Sequence, residues 1–252
     1  MKVTVASIYG NHFRTMNTFG FFRVAIGMLT SVVIFGGWYA RGQEPIPKGY
    51  VIPDDTRSPD HRYGVLVPDT DYFIEHNSDP DRGNQVVEMR TGRVVGEIKA
   101  DTGWTRQNHG GINPSIWSKD NSVLLWEVDG KWSPDALVIL KIEGEKIKWQ
   151  LDLLTIAQRA VLARTKQADP KKYAVQRKWN AGNGSDYPDG FTVNVTTSAK
   201  AGEPLKFPAA VQVYLTSDPK EIQAAGKILS SEMEGVVDKD GKFTVTKFNI
   251  VK

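Results

Sequence analysis

Residues 117–130 read WSKDNSVLLWEVDG, and residues 57–69 read RSPDHRYGVLVPD. Each places a serine, then an aspartate two positions later, ahead of a short apolar run. Ser58 and Asp60 are answered by Ser118 and Asp120, 60 residues on. A Ser/Asp turn followed by apolar residues predicts a strand entered through a tight polar turn. The runs Ser122–Val128 (SVLLWEV) and Ala136–Ile142 (ALVILKI) are apolar at nearly every position rather than at alternate ones. A strand of that kind is buried on both faces, as in a sheet with covers on both sides.

The surroundings extend the pattern. After the apolar strand Gly64–Val67 comes the loop Asp69–Asn84, then two runs, Gln85–Met89 and Val94–Ile98, around the turn Arg90–Arg93. After Ser122–Val128 come Ala136–Ile142, the turn EGEK and Ile147–Leu153. Each unit reads turn, strand, longer loop, strand, turn, strand, which is a hairpin plan. Antiparallel hairpins with doubly buried strands are what stacked propeller blades provide. The Ser-x-Asp turn before an apolar strand, with Trp117 ahead of it, resembles the repeat of TolB-like and WD-type β-propellers over about residues 57–153. Two such units do not close a propeller, so the resemblance implies an open or partial version, or a sandwich.

From Leu153 the apolar period becomes helical. Leu153, Ile156, Ala157, Ala160 and Ala163 or Arg164 share a face, with Asp152 placed as N-cap. Asp169-Pro170 starts a second helix, KKYAVQRKW, as N-cap and first helical residue. The helical insertion thus covers about 153–179, and Asn180–Gly190 stops it. The last part, 190–252, alternates. Phe191, Val193 and Val195 face one way; Val211, Val213 and Leu215 repeat the pattern; Leu229, Ser231, Met233, Gly235 and Val237 follow it. These strands have one wet face. A short helix at Asp218-Pro219 joins two of them, Asp238–Gly241 is a hairpin turn, and the phase slip between Val245 and Phe248 predicts a bulge near Thr246. The fold class is therefore mainly β: blade-like antiparallel hairpin units, a two-helix insertion and a C-terminal antiparallel sheet, in one domain over 57–252.

The 252 residues are 40% hydrophobic and 24% charged, a globular composition. The net charge of +3 is unevenly placed. The first 42 residues hold Lys2, Arg14, Arg23 and Arg41 and no acid; without them 28 basic residues face 29 acidic ones, a net charge of −1. A near-neutral body argues against nucleic-acid binding, which needs a basic face to displace counterions. Val24–Ala40 is uncharged and apolar, and Ala40 and Gly42 are small residues framing a cleavage before Gln43. Residues 1–42 thus read as a signal peptide, with Met16 an alternative start, and 43–56 as a proline-containing linker. The alternative is an uncleaved anchor at residues 24–40: seventeen residues span about 26 Å as a helix, against a hydrocarbon core of about 30 Å. Both place the body outside the cytoplasm, in the periplasm or beyond, or tethered to the membrane. There is no cysteine, so the fold rests on packing without disulfides, and thiol chemistry is excluded.

Several clusters suggest chemistry. His109-Gly110-Gly111 is the kind of loop that presents backbone N–H groups to an oxyanion, but no Gly-x-Ser-x-Gly elbow accompanies it. Trp104 and Trp132 sit in loops, beside Arg106 and Asp135; with His109 they are the candidate ligand-binding residues. Trp117, Trp126 and Trp149 lie in apolar strands and read as core. Asn77, Asp79 and Asp81, with Glu88 eleven residues after Asn77, partly match a calcium loop, although Arg82 stands where the turn glycine belongs. The histidines have no metal-ligand spacing, and no cofactor is implied. Arg159, Arg164, Lys166, Lys171, Lys172, Arg177 and Lys178 form one basic cluster, which suits anionic lipid headgroups or an acidic envelope polymer. The residues favour a non-enzymatic, exported binding or scaffolding module of a bacterial envelope, with an unknown protein or polymer of that envelope as partner. The rivals are a secreted hydrolase using carboxylates around Asp69, Asp71, Asp79 and Asp81, and a membrane-anchored interaction protein.

Overall fold

The computed structural model describes residues 46–100, 111–130, 134–181, 190–217 and 228–251. Among them, three four-stranded antiparallel sheets form, each with its strands in chain order. The first holds β1 (Tyr50–Val51), β2 (Tyr63–Pro68), β3 (Gln85–Glu88) and β4 (Val94–Glu97), with a short helix α1 (Thr70–Glu75) between β2 and β3. The second holds β5 (Ile116–Trp117), β6 (Val123–Val128), β7 (Ala136–Glu143) and β8 (Lys146–Asp152). Helices α2 (Leu153–Ala168) and α3 (Pro170–Ala181) lead to the third sheet, β9 (Phe191–Thr197), β10 (Ala209–Ser217), β11 (Ser230–Val237) and β12 (Phe243–Val251).

The Ser-x-Asp turns share three side-chain bonds, and the second adds the Ser122 hydroxyl on Asp120 Oδ2 (2.8 Å). Ser58 Oγ donates to Asp60 Oδ1 (2.6 Å) and accepts from Tyr63 N (2.9 Å), while Asp60 Oδ1 also accepts from Arg62 N (3.0 Å). Ser118 Oγ donates to Asp120 Oδ1 (2.6 Å) and accepts from Val123 N (2.9 Å), with Ser122 N on Asp120 Oδ1 (3.2 Å). The residue after each aspartate is left-handed, at φ 55° in both His61 and Asn121. The side chains thereby satisfy backbone groups that the tight turn leaves without ladder partners.

These hydrogen bonds favour the charged carboxylates. At Asp60, burial pushes upward but is outweighed by the Ser58 hydroxyl and the Arg62 N–H, so its pKa is lowered; at Asp120 the Ser118 and Ser122 hydroxyls lower it. A lowered folded pKa contributes stability that is complete above the unfolded value of about 3.9 and is lost as pH falls through the folded value. Because Asp120 is exposed and its charge is screened by solvent, Asp120→Asn is expected to cost no more than about 1 kcal/mol near neutrality, at most roughly 2–4 °C in Tm. The gap from wild type should shrink below about pH 4. Thermal melts across pH check both parts.

Two clusters explain the uniformly apolar strands. Val65, Val67, Val86 and Val95 of the first sheet meet Leu124, Trp126, Val128, Val138 and Leu140 of the second in one core. The intervening residues of the second sheet, Val123, Leu125, Leu137 and Ile139, point the other way and join α2 and the third sheet. On the far side of the first sheet, Leu66 and Val87 pack under Tyr50 and Phe73. The layers therefore run α1, first sheet, second sheet, then α2 with the third sheet. At the margin between the first two sheets, Lys99 N donates to Gln150 Oε1 (2.9 Å), and Arg93 pairs with Glu145. Gly96 lies so close to Ile147 that a Cβ built on it would come within 2.9 Å of the isoleucine Cδ1. A larger residue there would force the sheets apart or displace that side chain.

The third sheet alternates, buried then exposed, along β9 and β10. Its bulge falls at Thr246, which is skipped where the register passes from Glu234↔Lys247 to Gly235↔Val245. The ring of Phe243 covers the bare backbone of Gly235. Both helix caps form as the sequence predicts: Asp152 accepts from Thr155 N, and Asp169 Oδ1 accepts from Lys172 N (2.9 Å).

Three expectations need correction. The segment read as a linker supplies the first sheet's edge: Tyr50–Val51 pairs with Val67–Pro68, and Tyr50 and Thr56 are buried. The loop Asp69–Asn84 contains α1, whose Phe73 enters the small core beside Tyr50. The buried stripe of α2 is Leu153, Ala157, Val161 and Thr165, with Leu154, whereas Ile156 is 38% exposed. Thr165 is accepted in the core because its hydroxyl donates to Val161 O and meets Ser231 Oγ, both at 2.7 Å. The helix expected at Asp218-Pro219 lies outside the described residues.

Candidate functional site

The acidic loop after β2 is held by structural bonds. Asp69 caps α1, accepting from Asp71 N (3.1 Å) and Tyr72 N (3.4 Å). Asp81 accepts from the Tyr50 hydroxyl (2.7 Å), which lowers the carboxylate's pKa. Burial and the same carboxylate raise that of Tyr50. Glu88 accepts from Thr91 Oγ1 (2.6 Å), which holds its pKa down, and faces Arg93 at 3.5 Å. Asn77 sits just past the end of α1 at φ 44°. The calcium candidates Asn77, Asp79, Asp81 and Glu88 are thus distributed over a helix end, a loop and a strand. Among the described residues no three His, Asp or Glu side chains gather to hold a metal.

Of the ligand-binding candidates, Trp104, Arg106, His109 and Trp132 lie outside the described residues. The described ends of their loops meet at β6, where Asp129 N donates to Gly111 O (2.8 Å) and Asp135 N to Val128 O (2.9 Å). One carboxyl there is perturbed. Glu127 is half-buried, and burial raises its pKa despite the Asn113 amide donating to it at 2.8 Å; Asp129 adds to the rise. Glu127 is the one charged residue within an apolar strand, a signal of a buried acid that the sequence offers and the candidate residues above do not include. Trp117 and Trp126 are core, at 3% and 0% exposure, and Trp149 is partly buried under the Gly241 turn.

The most distinctive surface is built by α2 and α3. Arg159, Arg164, Lys166, Lys171, Lys172, Arg177 and Lys178 are all exposed. Between Leu153 and Ala181 the single acid is Asp169, and its carboxylate is engaged in capping α3. Why the cations point outward follows from helix geometry. The buried stripe of α2 recurs every four residues, Leu153 to Thr165, which leaves Arg159 and Lys166, seven apart, on another face. On α3, Tyr173 is buried and stacks on Phe191, with ring centroids 4.9 Å apart. Lys171, Val175 and Lys178 are spaced four and three apart, so they share an exposed face.

A shallow groove of about 670 Å³ opens between α2 and the start of β12. Leu151, Ile156, Ala160, Phe243 and Val245 give it an apolar lining, and Arg164 and Lys242 place cations at it. The row Ile156, Ala160, Arg164 was legible as a helical face, but it borders the core stripe rather than forming it. The contribution of β12 was not legible, because only the fold brings it beside α2.

Compared with known proteins, the chain matches no family model, no curated protein and no solved structure.

Proposed function

We propose that this protein is an exported, non-enzymatic binding or scaffolding module of a bacterial envelope, and that the side formed by α2 and α3 meets an anionic partner. The observation that carries the reading is seven exposed cations against one capping carboxylate along α2 and α3. In a body of net charge −1, so local an excess of cations produces an attractive field for anions. The first two sheets are read as propeller-blade-like units, supported by their matched Ser-x-Asp turns and shared core; capped by α1 on one side and by α2 and the third sheet on the other, they serve as the rigid support. The hydrolase reading finds less support, since Asp69 and Asp81 are engaged in a cap and a tyrosine bond. Export rests on the sequence of residues 1–42, and the mass of the mature protein tests it: a chain starting at Gln43 is expected.

Co-sedimentation with isolated envelopes tests the binding surface. The variant Arg159→Gln, Lys166→Gln, Lys171→Gln, Lys178→Gln is expected to melt like wild type, because all four residues are exposed. Its retention should fall by at least about ten-fold at low salt, and raising the salt to about 0.5 M should release the wild type. Retention insensitive to both the substitutions and salt would remove the basis of the proposal.

A further inference from the structure

The groove and the cations together identify the class of anion. An acidic polymer needs cations alone, whereas here an apolar lining of Leu151, Ile156, Phe243 and Val245 lies beside Arg164 and Lys242, and Val175, 55% exposed, stands between Lys171 and Lys178. Apolar surface interleaved with cations is complementary to an interface that is anionic at its surface and apolar just beneath. Resting on the reading of this side as an anion-binding surface, we infer that its partner is the anionic lipid bilayer itself, with headgroups on the cations of α2 and α3 and the upper acyl region against the groove. The apolar lining favours a bilayer over a soluble polyanion, and charge complementarity then selects an anionic leaflet: seven cations to one acid on these helices gain nothing from a neutral one. Long lysine and arginine side chains suit such a surface, because their alkyl stems lie along apolar neighbours while the charges reach the headgroups.

The test uses the protein starting at Gln43, the mature chain of the reading above, and vesicles of phosphatidylcholine with about 30% phosphatidylglycerol, against phosphatidylcholine alone. Without residues 24–40 every protein compared lacks the apolar segment that would bind both vesicle types on its own. Each cation removed is expected to weaken binding to the anionic vesicles about five-fold at low salt. Lys171→Gln, Lys172→Gln, Lys178→Gln should therefore lose roughly a hundred-fold, with little change on neutral vesicles. Ile156→Glu, at an exposed groove position, should weaken anionic-vesicle binding at least about five-fold and leave binding of soluble polyphosphate nearly unchanged. Circular dichroism and melting of each variant confirm that it is folded. Equal binding to the two vesicle types overturns the inference, as does an Ile156→Glu variant that binds anionic vesicles like wild type. Polyphosphate binding that the triple variant loses, without preference for anionic vesicles, overturns the lipid assignment while leaving the basic-surface reading standing. Binding to neither polyphosphate nor anionic vesicles overturns both.

Discussion

Trp126→Ala is expected to lower the melting temperature by roughly 6–20 °C. Its side chain is fully buried in the core shared by the first and second sheets. Truncating a buried tryptophan costs about 3–5 kcal/mol in lost burial and in the cavity left behind. For a chain of this size each kcal/mol corresponds to about 2–4 °C. The indole Nε1 finds no acceptor among the described residues. The ring's contribution is thus one of packing, and Trp126→Phe, which keeps an aromatic ring and removes an unpaired donor, should cost well under half as much. Differential scanning calorimetry of the two variants separates packing from hydrogen bonding. A Trp126→Ala protein that melts like wild type would show that the sheets do not depend on this core.

The second large effect is expected on the opposite side of the second sheet. Phe191 opens β9, is fully buried, and stacks on Tyr173 of α3. Phe191→Ala should also cost about 3–5 kcal/mol. It differs from Trp126→Ala in where the structure loosens. Removing the ring takes away the surface against which Tyr173 fastens α3, so hydrogen exchange in α3 should accelerate more than in the strands of the first sheet. Hydrogen-exchange mass spectrometry on both variants checks the difference. An α3 as protected in Phe191→Ala as in wild type would contradict the packing described.

Much of this architecture was legible in local chemistry. Continuous apolar character in Ser122–Val128 announced burial on both faces, because no other environment tolerates Leu124 and Leu125 pointing in opposite directions. Ser58, Asp60, Ser118 and Asp120 announced their turns, since the side chains supply the bonds that the tight backbone lacks. The slip between Val245 and Phe248 located the bulge at Thr246. What escaped the sequence depends on tertiary partners. Tyr50–Val51 reads as linker because Pro45, Pro47 and Pro53 surround it, and only pairing with β2 makes it a strand. In α2, two adjacent rows of small and apolar residues compete for the core; Ser231 settles the choice by giving Thr165 a buried partner. The groove combines residues about 90 positions apart and emerges from packing rather than from spacing. Glu127 differs: a lone acid in a strand buried on both faces is legible as a partly buried carboxyl.

The first two sheets are stacked face to face around one core, and that core supports the layer in which α2, α3 and their cations are carried. The chain contains no cysteine, so a pair can be introduced without competition. A Cβ on Gly96 would lie 3.5 Å from the Cβ of Ile147, at the near end of the separation a disulfide spans. The measurement is a free-thiol count on the folded monomer of Gly96→Cys, Ile147→Cys after mild oxidation. The stacked arrangement predicts no free thiol, an intramolecular bond and a melting temperature no lower than that of the reduced form. Two free thiols in a folded monomer, or disulfides formed only between molecules, would contradict it.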